Sequence, residues 1–154
     1  MALKFYDYAV VMQEIPDEIT LAINITNCPH KCFECHSQWL REDIGEELNR
    51  ESLLSLIRSQ KFITCVCFMG GDSDHSAIIE LSDIVHQNTD KKVAMYSGDD
   101  VIDPNLMKAL DYYKIGSYQK DKGPLSSITT NQKLYYINEG EPLDITYKFQ
   151  LKKY

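Results

Sequence analysis

The sequence predicts an α/β protein built on a mostly parallel sheet, and two features of the pattern support this prediction. Segments with the apolar spacing of strands alternate along the chain with segments that have the spacing of helices, an order typical of strand–helix–strand units. The chain has 154 residues, of which 44% are hydrophobic, enough for one domain with a buried core. No internal repeat or linker-like composition divides the chain, so we expect a single domain over residues 1–154.

Two strands and two helices are predicted in the first part of the chain. Residues 18–26 (EITLAINIT) alternate apolar and polar side chains, as a strand with one buried face does. Residues 62–69 (FITCVCFM) are continuously apolar, as in a strand that is covered on both faces. Helices are predicted over 49–60 and 74–88, where leucine, isoleucine and valine recur at helical spacing.

The next part of the chain predicts two further strands with a helix between them. The strands are residues 92–97 (KVAMYS) and 113–118 (YKIGSY). Asp103 followed by Pro104 predicts a helix start, because aspartate caps helices and proline suits the first helical position. We expect this helix to continue to about Tyr112.

A β-hairpin is predicted at the C-terminal end. Its first strand is residues 134–137 (LYYI), and the sequence NEGEPL follows as the connection. The second strand is expected within residues 144–153, because Ile145, Tyr147 and the later apolar residues alternate there with polar ones.

Charge and composition restrict the classes of function. The formal net charge is -7 without a basic cluster, which argues against nucleic-acid binding. The N-terminal stretch MALKFYDYAVVMQE lacks the apolar core of a signal peptide, and no apolar run has the length of about 20 residues that spans a bilayer. We therefore expect a soluble, cytoplasmic protein that has no membrane partner. Five cysteines in a reducing compartment indicate metal binding or redox chemistry more than a disulfide framework.

The most informative motif is C-x3-C-x2-C, formed by Cys28, Cys32 and Cys35 directly after the first predicted strand. Thiolates bind zinc or iron–sulfur clusters. A closed zinc site needs a fourth ligand, which His30 or His36 would supply in a small structural zinc knuckle. A [4Fe–4S] cluster held by three thiolates instead leaves one iron open to chelate a small molecule. The spacing alone keeps both possibilities open.

Further motifs give the chain a family resemblance. The cysteine spacing resembles the signature of radical S-adenosylmethionine (SAM) enzymes. Three more matches follow it in the expected order: Gly70-Gly71-Asp72, Tyr96-Ser97-Gly98 and Asn131-Gln132. With the small size, the Cys-x-His-x-Cys loop and Trp39, the chain looks like the activating proteins of anaerobic ribonucleoside-triphosphate reductases over about residues 5–137.

The resemblance implies a fold, an activity and partners. The fold would be a small, incomplete (β/α) barrel of the radical SAM type, because a full eight-stranded barrel needs about 250 residues. In that family a reduced cluster cleaves SAM, and the resulting 5′-deoxyadenosyl radical generates a glycyl radical on the reductase. The implied partners are the large subunit of the reductase and a low-potential electron donor such as flavodoxin or ferredoxin.

The resemblance also implies individual site residues. Cys28, Cys32 and Cys35 would be the cluster ligands. The residues expected to contact SAM are Glu34, Cys35 and His36 through their backbone, the loop residues Gly70, Gly71 and Asp72, and the hydroxyl of Ser97. An ordinary strand-to-helix turn, capped by Asp72 or Asp74, and a plain turn serine are the alternatives for the last two groups.

Other residues that attract notice are interpreted as structural. Cys65 and Cys67 lie two residues apart in an apolar run, so we expect them to pack on one face of a buried strand. His75 and His86 lie within or beside a helix and receive no chemical role. Two alternative functions stay open: a radical SAM enzyme acting on another glycyl-radical enzyme or a small molecule, and a zinc-binding interaction module.

Overall fold

A computed structural model of the chain describes residues 3–26 and 45–150, and these residues form one eight-stranded sheet with three α-helices. The strands are β1 (Lys4–Val11), β2 (Thr20–Ile25), β3 (Glu46–Glu47), β4 (Cys65–Met69), β5 (Lys92–Tyr96), β6 (Tyr112–Ile115), β7 (Lys133–Asn138) and β8 (Glu141–Asp144). The helices are α1 (Arg50–Ser59), α2 (His75–Asn88) and α3 (Pro104–Ala109), and a 3₁₀ helix spans Thr146–Phe149. The strand order is β3-β1-β2-β4-β5-β6-β7-β8.

The centre of the sheet is parallel, in agreement with the alternation of strands and helices in the sequence. Strands β2, β4, β5 and β6 lie side by side in the sheet in the order in which the chain forms them, and each pairs in parallel with the next. The connections that join them contain α1, α2 and α3 in turn. Both flanks are antiparallel, because β1 pairs with β2 and β3 on one side while β7 pairs with β6 and β8 on the other.

The prediction of an incomplete (β/α) barrel is wrong. The described sheet is open, with β3 and β8 at its two edges, and only its four central strands are parallel. In a (β/α) barrel each parallel strand is followed by a helix, and the sheet closes on itself inside a ring of these helices. Here antiparallel strands occupy both sides of the parallel centre, and β7 and β8 are joined by a tight turn with no helix between them.

The three helices share a hydrophobic core with one face of the sheet. This core contains Leu53 of α1, Ile78 of α2 and Leu106 of α3, all fully buried. Each helix begins at a side-chain cap: Asn49 accepts from the backbone N–H of Ser52 in α1, and Asp74 and Asp103 act in the same way for α2 and α3. The sheet contributes alternate residues to this core, namely Leu21, Ile23, Ile25, Val66, Phe68, Val93, Met95, Tyr113 and Ile115.

The opposite face of the sheet forms a second, smaller core. Cys65 and Cys67 are fully buried there, which confirms that they pack on one face of a strand. Ile15, from the connection between β1 and β2, is buried against them, and Phe149 of the 3₁₀ helix packs on the same cluster. Burial raises the pKa of the Cys65 thiol, so this side chain stays protonated and behaves as an apolar group.

The C-terminal hairpin is confirmed, but its second strand was predicted at the wrong place. Glu139 and Gly140 both have positive φ, 51° and 82°, which makes a two-residue turn of the type that joins tight hairpins. The second strand is therefore β8, which begins immediately after this turn. Residues 146–149 form the 3₁₀ helix in place of a strand, so the short apolar alternation there was misleading.

Helix α3 is shorter than predicted because the chain turns into β6 at Asp111. The backbone N–H of Asp111 donates to the carbonyl oxygen of Val93 at 2.8 Å, and its carboxylate accepts from the N–H of Val93 at 2.8 Å. These bonds require extended backbone where the helix was expected to continue. None of the helices in the described ranges has the length and apolar character that a bilayer crossing requires.

Candidate functional site

The connections that follow the parallel strands meet where these strands end, along one side of the sheet. We call this side the carboxyl edge, which is distinct from the edge strands β3 and β8. Because β2, β4, β5 and β6 are parallel, their carboxyl ends lie together, as in other α/β proteins that bind ligands there. The glycine pair follows β4, Ser97 follows β5 and Gly116 follows β6. The segment 27–44 follows β2 and contains Cys28, Cys32, Glu34, Cys35 and His36, which lie outside the described residues.

The two glycines after β4 have different environments. Gly70 has a φ of +109°, and among the described residues an added Cβ would meet only the carbonyl oxygen of Ile25 at 3.4 Å and its Cβ at 3.5 Å. Gly71 has a φ of +105°, and an added Cβ would lie 2.6 Å from Cδ1 of Ile78. The missing side chain of Gly71 is therefore explained by the packing of α2 on the sheet. Within the described ranges, a Cβ at Gly70 would make ordinary contact with Ile25 and would be crowded by nothing else.

Asp72 and Ser97 are brought together, and they bond to each other. The Ser97 hydroxyl donates to Oδ1 of Asp72 at 2.7 Å, and the backbone N–H of Gly98 donates to Oδ2 at 2.8 Å. The Ser97 oxygen also accepts from the N–H of Asp99 at 3.0 Å. The Asp72 carboxylate, whose side chain is 3% exposed, thus ties the connection after β4 to the connection after β5. Helix α2 is capped by Asp74, which resolves the choice between Asp72 and Asp74.

His75 belongs to the same network, although no chemical role was predicted for it from the sequence. Its Nε2 lies 2.9 Å from Oδ1 of Asp72, and its Nδ1 lies 2.9 Å from Oδ2 of Asp103. Asp99 adds a third carboxylate oxygen at 3.5 Å from Nε2. Burial opposes protonation, but the hydrogen bonds and charges of Asp72 and Asp103 hold the pKa of His75 above its usual value. The contact between Asp72 and His75 could have been predicted from their three-residue spacing across a helix start.

Asn131 and Gln132 close the long connection after β6. The Asn131 amide donates to the carbonyl oxygen of Ser117 at 3.0 Å, and the Gln132 amide donates to that of Gly116 at 3.3 Å. Gly116 has a φ of +100°, and an added Cβ would lie 3.0 Å from Cα of Gln132. Oδ1 of Asn131 is buried and lacks a hydrogen-bond partner among the described residues. The pair therefore fixes the loop, and one buried acceptor of Asn131 stays without a partner among the described residues.

A buried lysine lies beside these loops. Lys114 of β6 is 7% exposed, and its Nζ donates to the carbonyl oxygens of Ser97 at 3.1 Å and Gly116 at 2.7 Å. The same ammonium lies 5.6 Å from the centre of the Tyr96 ring, within range of a cation–π interaction. Lys114 thus joins the connections after β5 and β6, as Asp72 joins those after β4 and β5.

Comparison with protein-family models, with curated proteins and with solved structures found no match to this chain. A function is therefore argued from the cysteine spacing and from the residues at the carboxyl edge.

Proposed function

We propose that this chain is a radical SAM activase that generates a glycyl radical on an anaerobic ribonucleoside-triphosphate reductase. One observation carries the proposal: the C-x3-C-x2-C motif begins two residues after Thr26, at the carboxyl end of a strand that pairs in parallel with β4. The cysteine segment thus starts at the same edge as the glycine pair and the Ser97 loop. When bound, a reduced [4Fe–4S] cluster supplies the electron that cleaves SAM into methionine and a 5′-deoxyadenosyl radical, which takes a hydrogen atom from a glycine.

The described residues of the carboxyl edge fit a small polar ligand of this kind. Gly70 has no Cβ, so that a ligand can approach its backbone, and among the described residues only Ile25 lies within contact distance of the place a Cβ would take. Oδ1 of Asn131 is a buried acceptor without a partner in the described ranges, and SAM carries ammonium and hydroxyl donors. Three thiols within eight residues are a suitable donor set for a cluster with one open iron. Cys28, Cys32 and Cys35 would hold the cluster, while Gly70 and Asn131 would border SAM.

The chain's other residues at this edge position the loops. Asp72 holds Ser97 and the Gly98 N–H, and Lys114 holds the carbonyl oxygens of Ser97 and Gly116. Buried charged hydrogen bonds of this type fix backbone geometry more firmly than neutral ones.

The first experiment is reconstitution under anaerobic conditions. We expect the thiolates of Cys28, Cys32 and Cys35 to bind iron and sulfide in the ratio of a [4Fe–4S] cluster. Reduction of this protein in the presence of SAM should release 5′-deoxyadenosine. Colourless protein that contains zinc and no sulfide would support the zinc-module alternative and refute the proposal.

The second experiment identifies the substrate. Incubation of the reduced protein with SAM and the large reductase subunit should give a glycyl-radical doublet in electron paramagnetic resonance, matched by 5′-deoxyadenosine. The control replaces the acceptor glycine of the subunit with alanine and should abolish the doublet. SAM cleavage without any protein radical would assign the chain to a different radical SAM reaction, on another glycyl-radical enzyme or a small molecule.

A further inference from the structure

The hydrogen bonds around His75 determine its protonation state. Carboxylates of Asp72 and Asp103 lie 2.9 Å from the two ring nitrogens, one on each side. An ionised carboxylate only accepts hydrogen bonds, so each nitrogen must carry a proton to make its bond. A neutral imidazole would place one nitrogen lone pair against a carboxylate oxygen. With both carboxylates ionised, the contacts therefore favour the doubly protonated imidazolium.

The groups that face His75 from the surrounding elements are mostly acidic. Asp72 precedes α2, Asp99 follows β5 and Asp103 caps α3. Tyr113 of β6 reaches the same region, because its hydroxyl accepts from the backbone N–H of Asp103 at 3.3 Å. Burial raises the pKa of Tyr113 to about 12, so its hydroxyl adds no charge near neutral pH. Without the imidazolium, three carboxylates would repel one another in a partly buried site.

We propose that His75 is a positioning residue whose imidazolium locks Asp72 in place and, through Asp72, the Ser97 hydroxyl and the Gly98 N–H at the carboxyl edge. It joins the connection after β4, the connection after β5 and the start of α3 into one unit. The consequence for SAM binding rests on the proposed function, but the locked geometry itself does not.

The same contacts argue against a metal ion between Asp72, His75 and Asp99, although their ligand atoms lie within 4.8 Å of one another. A metal would need a bare imidazole nitrogen, and both nitrogens of His75 already lie 2.9 Å from carboxylate oxygens that pair with an N–H. The imidazolium supplies the positive charge that a cation would bring.

The lock has a defined dependence on pH. The pKa of His75 is raised in the folded chain, whereas an exposed histidine titrates at about 6.5. The stabilisation by His75 is therefore complete below about pH 6.5 and is lost as the pH rises through the folded value. In wild-type protein the Gly98 amide signal should therefore change as the pH rises above the pKa of His75 in the folded chain.

The direct test is nuclear magnetic resonance of the full chain without SAM. We expect both His75 ring nitrogens to give the signals of an imidazolium near neutral pH, and we expect Asp103→Asn to lower the pKa of His75. Asparagine caps a helix as well as aspartate does, so this variant keeps α3 and replaces the charged acceptor oxygen that faces Nδ1 of His75 with a neutral amide. A neutral His75 at pH 6, or a pKa that Asp103→Asn leaves unchanged, would overturn the proposal.

The second test replaces His75 itself, with His86 as the matched control. His86 also lies in α2 but meets a single carboxylate, that of Asp111, at 2.8 Å. His75→Gln should shift the Gly98 amide signal and weaken SAM binding about tenfold, as expected for one lost charge-assisted hydrogen bond. His86→Gln should change neither. An unmoved Gly98 signal in folded His75→Gln protein would refute the positioning role.

Two further outcomes separate this proposal from the others. If wild-type protein binds no SAM while the Gly98 amide still responds to His75→Gln, the activase proposal fails and the lock stands. The probe for a metal site is Mn²⁺, because it binds carboxylates in preference to thiolates. Broadening of the Gly98 amide signal by stoichiometric Mn²⁺ would show that the group formed by Asp72, His75 and Asp99 binds a cation. That result would overturn the proposed positioning role of the His75 imidazolium.

Discussion

Replacing Gly71 with alanine should destabilise the fold by a predictable amount. At a φ of +105° any residue with a Cβ is strained, which costs about 1–3 kcal/mol. The new Cβ would also lie 2.6 Å from Cδ1 and 2.8 Å from Cγ1 of Ile78, a fully buried residue, and such overpacking costs about 1–3 kcal/mol. Gly71→Ala should therefore lower the free energy of unfolding by about 2–6 kcal/mol, a large part of the stability of a small domain.

Gly70→Ala is the matched control for this measurement. Its φ of +109° carries the same backbone strain, but within the part of the chain that the structure describes its added Cβ meets only Ile25, at the distances of ordinary contact. The difference between the two variants isolates the packing of α2, and we expect it to be about 1–3 kcal/mol. Urea unfolding followed by circular dichroism, with an unchanged m value, measures both variants.

A second substitution tests the atomic explanation. Ile78→Val removes Cδ1, the atom nearest to the added Cβ, so it should relieve part of the destabilisation in a Gly71→Ala background. Equal stabilities of the Gly70→Ala and Gly71→Ala variants would refute this reasoning and would return Gly71 to the role of a ligand contact. A merely additive double mutant would show that Ile78 is not the obstacle.

Three other predictions use different parts of the chain. Cys32→Ala should lose iron, sulfide and SAM cleavage after reconstitution, and retention of all three would exclude the cluster assignment. The Cys65→Ala/Cys67→Ala double variant is its control: it should keep its iron but lose about 1 kcal/mol per site in chemical denaturation, because both thiols are buried core groups. Asn49→Ala removes the cap that accepts from Ser52 N–H at 2.9 Å and should lower the unfolding free energy by about 1 kcal/mol, while hydrogen exchange as slow as in wild type at the start of α1 would contradict it.

Local sequence signals predicted most of the central elements. The alternating stretch at 18–26 contains β2, and the apolar run at 62–69 contains β4, since both patterns depend on which faces of a strand are buried. The helix starts at Asp74 and Asp103 were also recognisable, because capping is determined by a few neighbouring residues. The packing of Cys65 and Cys67 followed from their spacing alone.

The topology of the flanks could not be predicted in the same way. Strand β1 is antiparallel to β2, and five consecutive residues of its eight (6–10) are exposed, so it lacks the alternating pattern of a half-buried strand. Whether a strand pairs in parallel or antiparallel depends on residues distant in sequence, which a local pattern does not contain. The expected barrel failed for this reason.

The sequence by itself determined the central strands, the helix starts at Asp74 and Asp103 and the cysteine spacing on which the proposed activase function depends, because these are properties of neighbouring residues. Only the tertiary structure decided the roles of Gly71, Asp72 and His75. Gly71 is glycine because Ile78 occupies the space of its side chain, and His75 is charged because Asp103, 28 residues away, faces its second nitrogen. Excluded volume and electrostatic pairing act between atoms that are close in space, and only folding brings these atoms together.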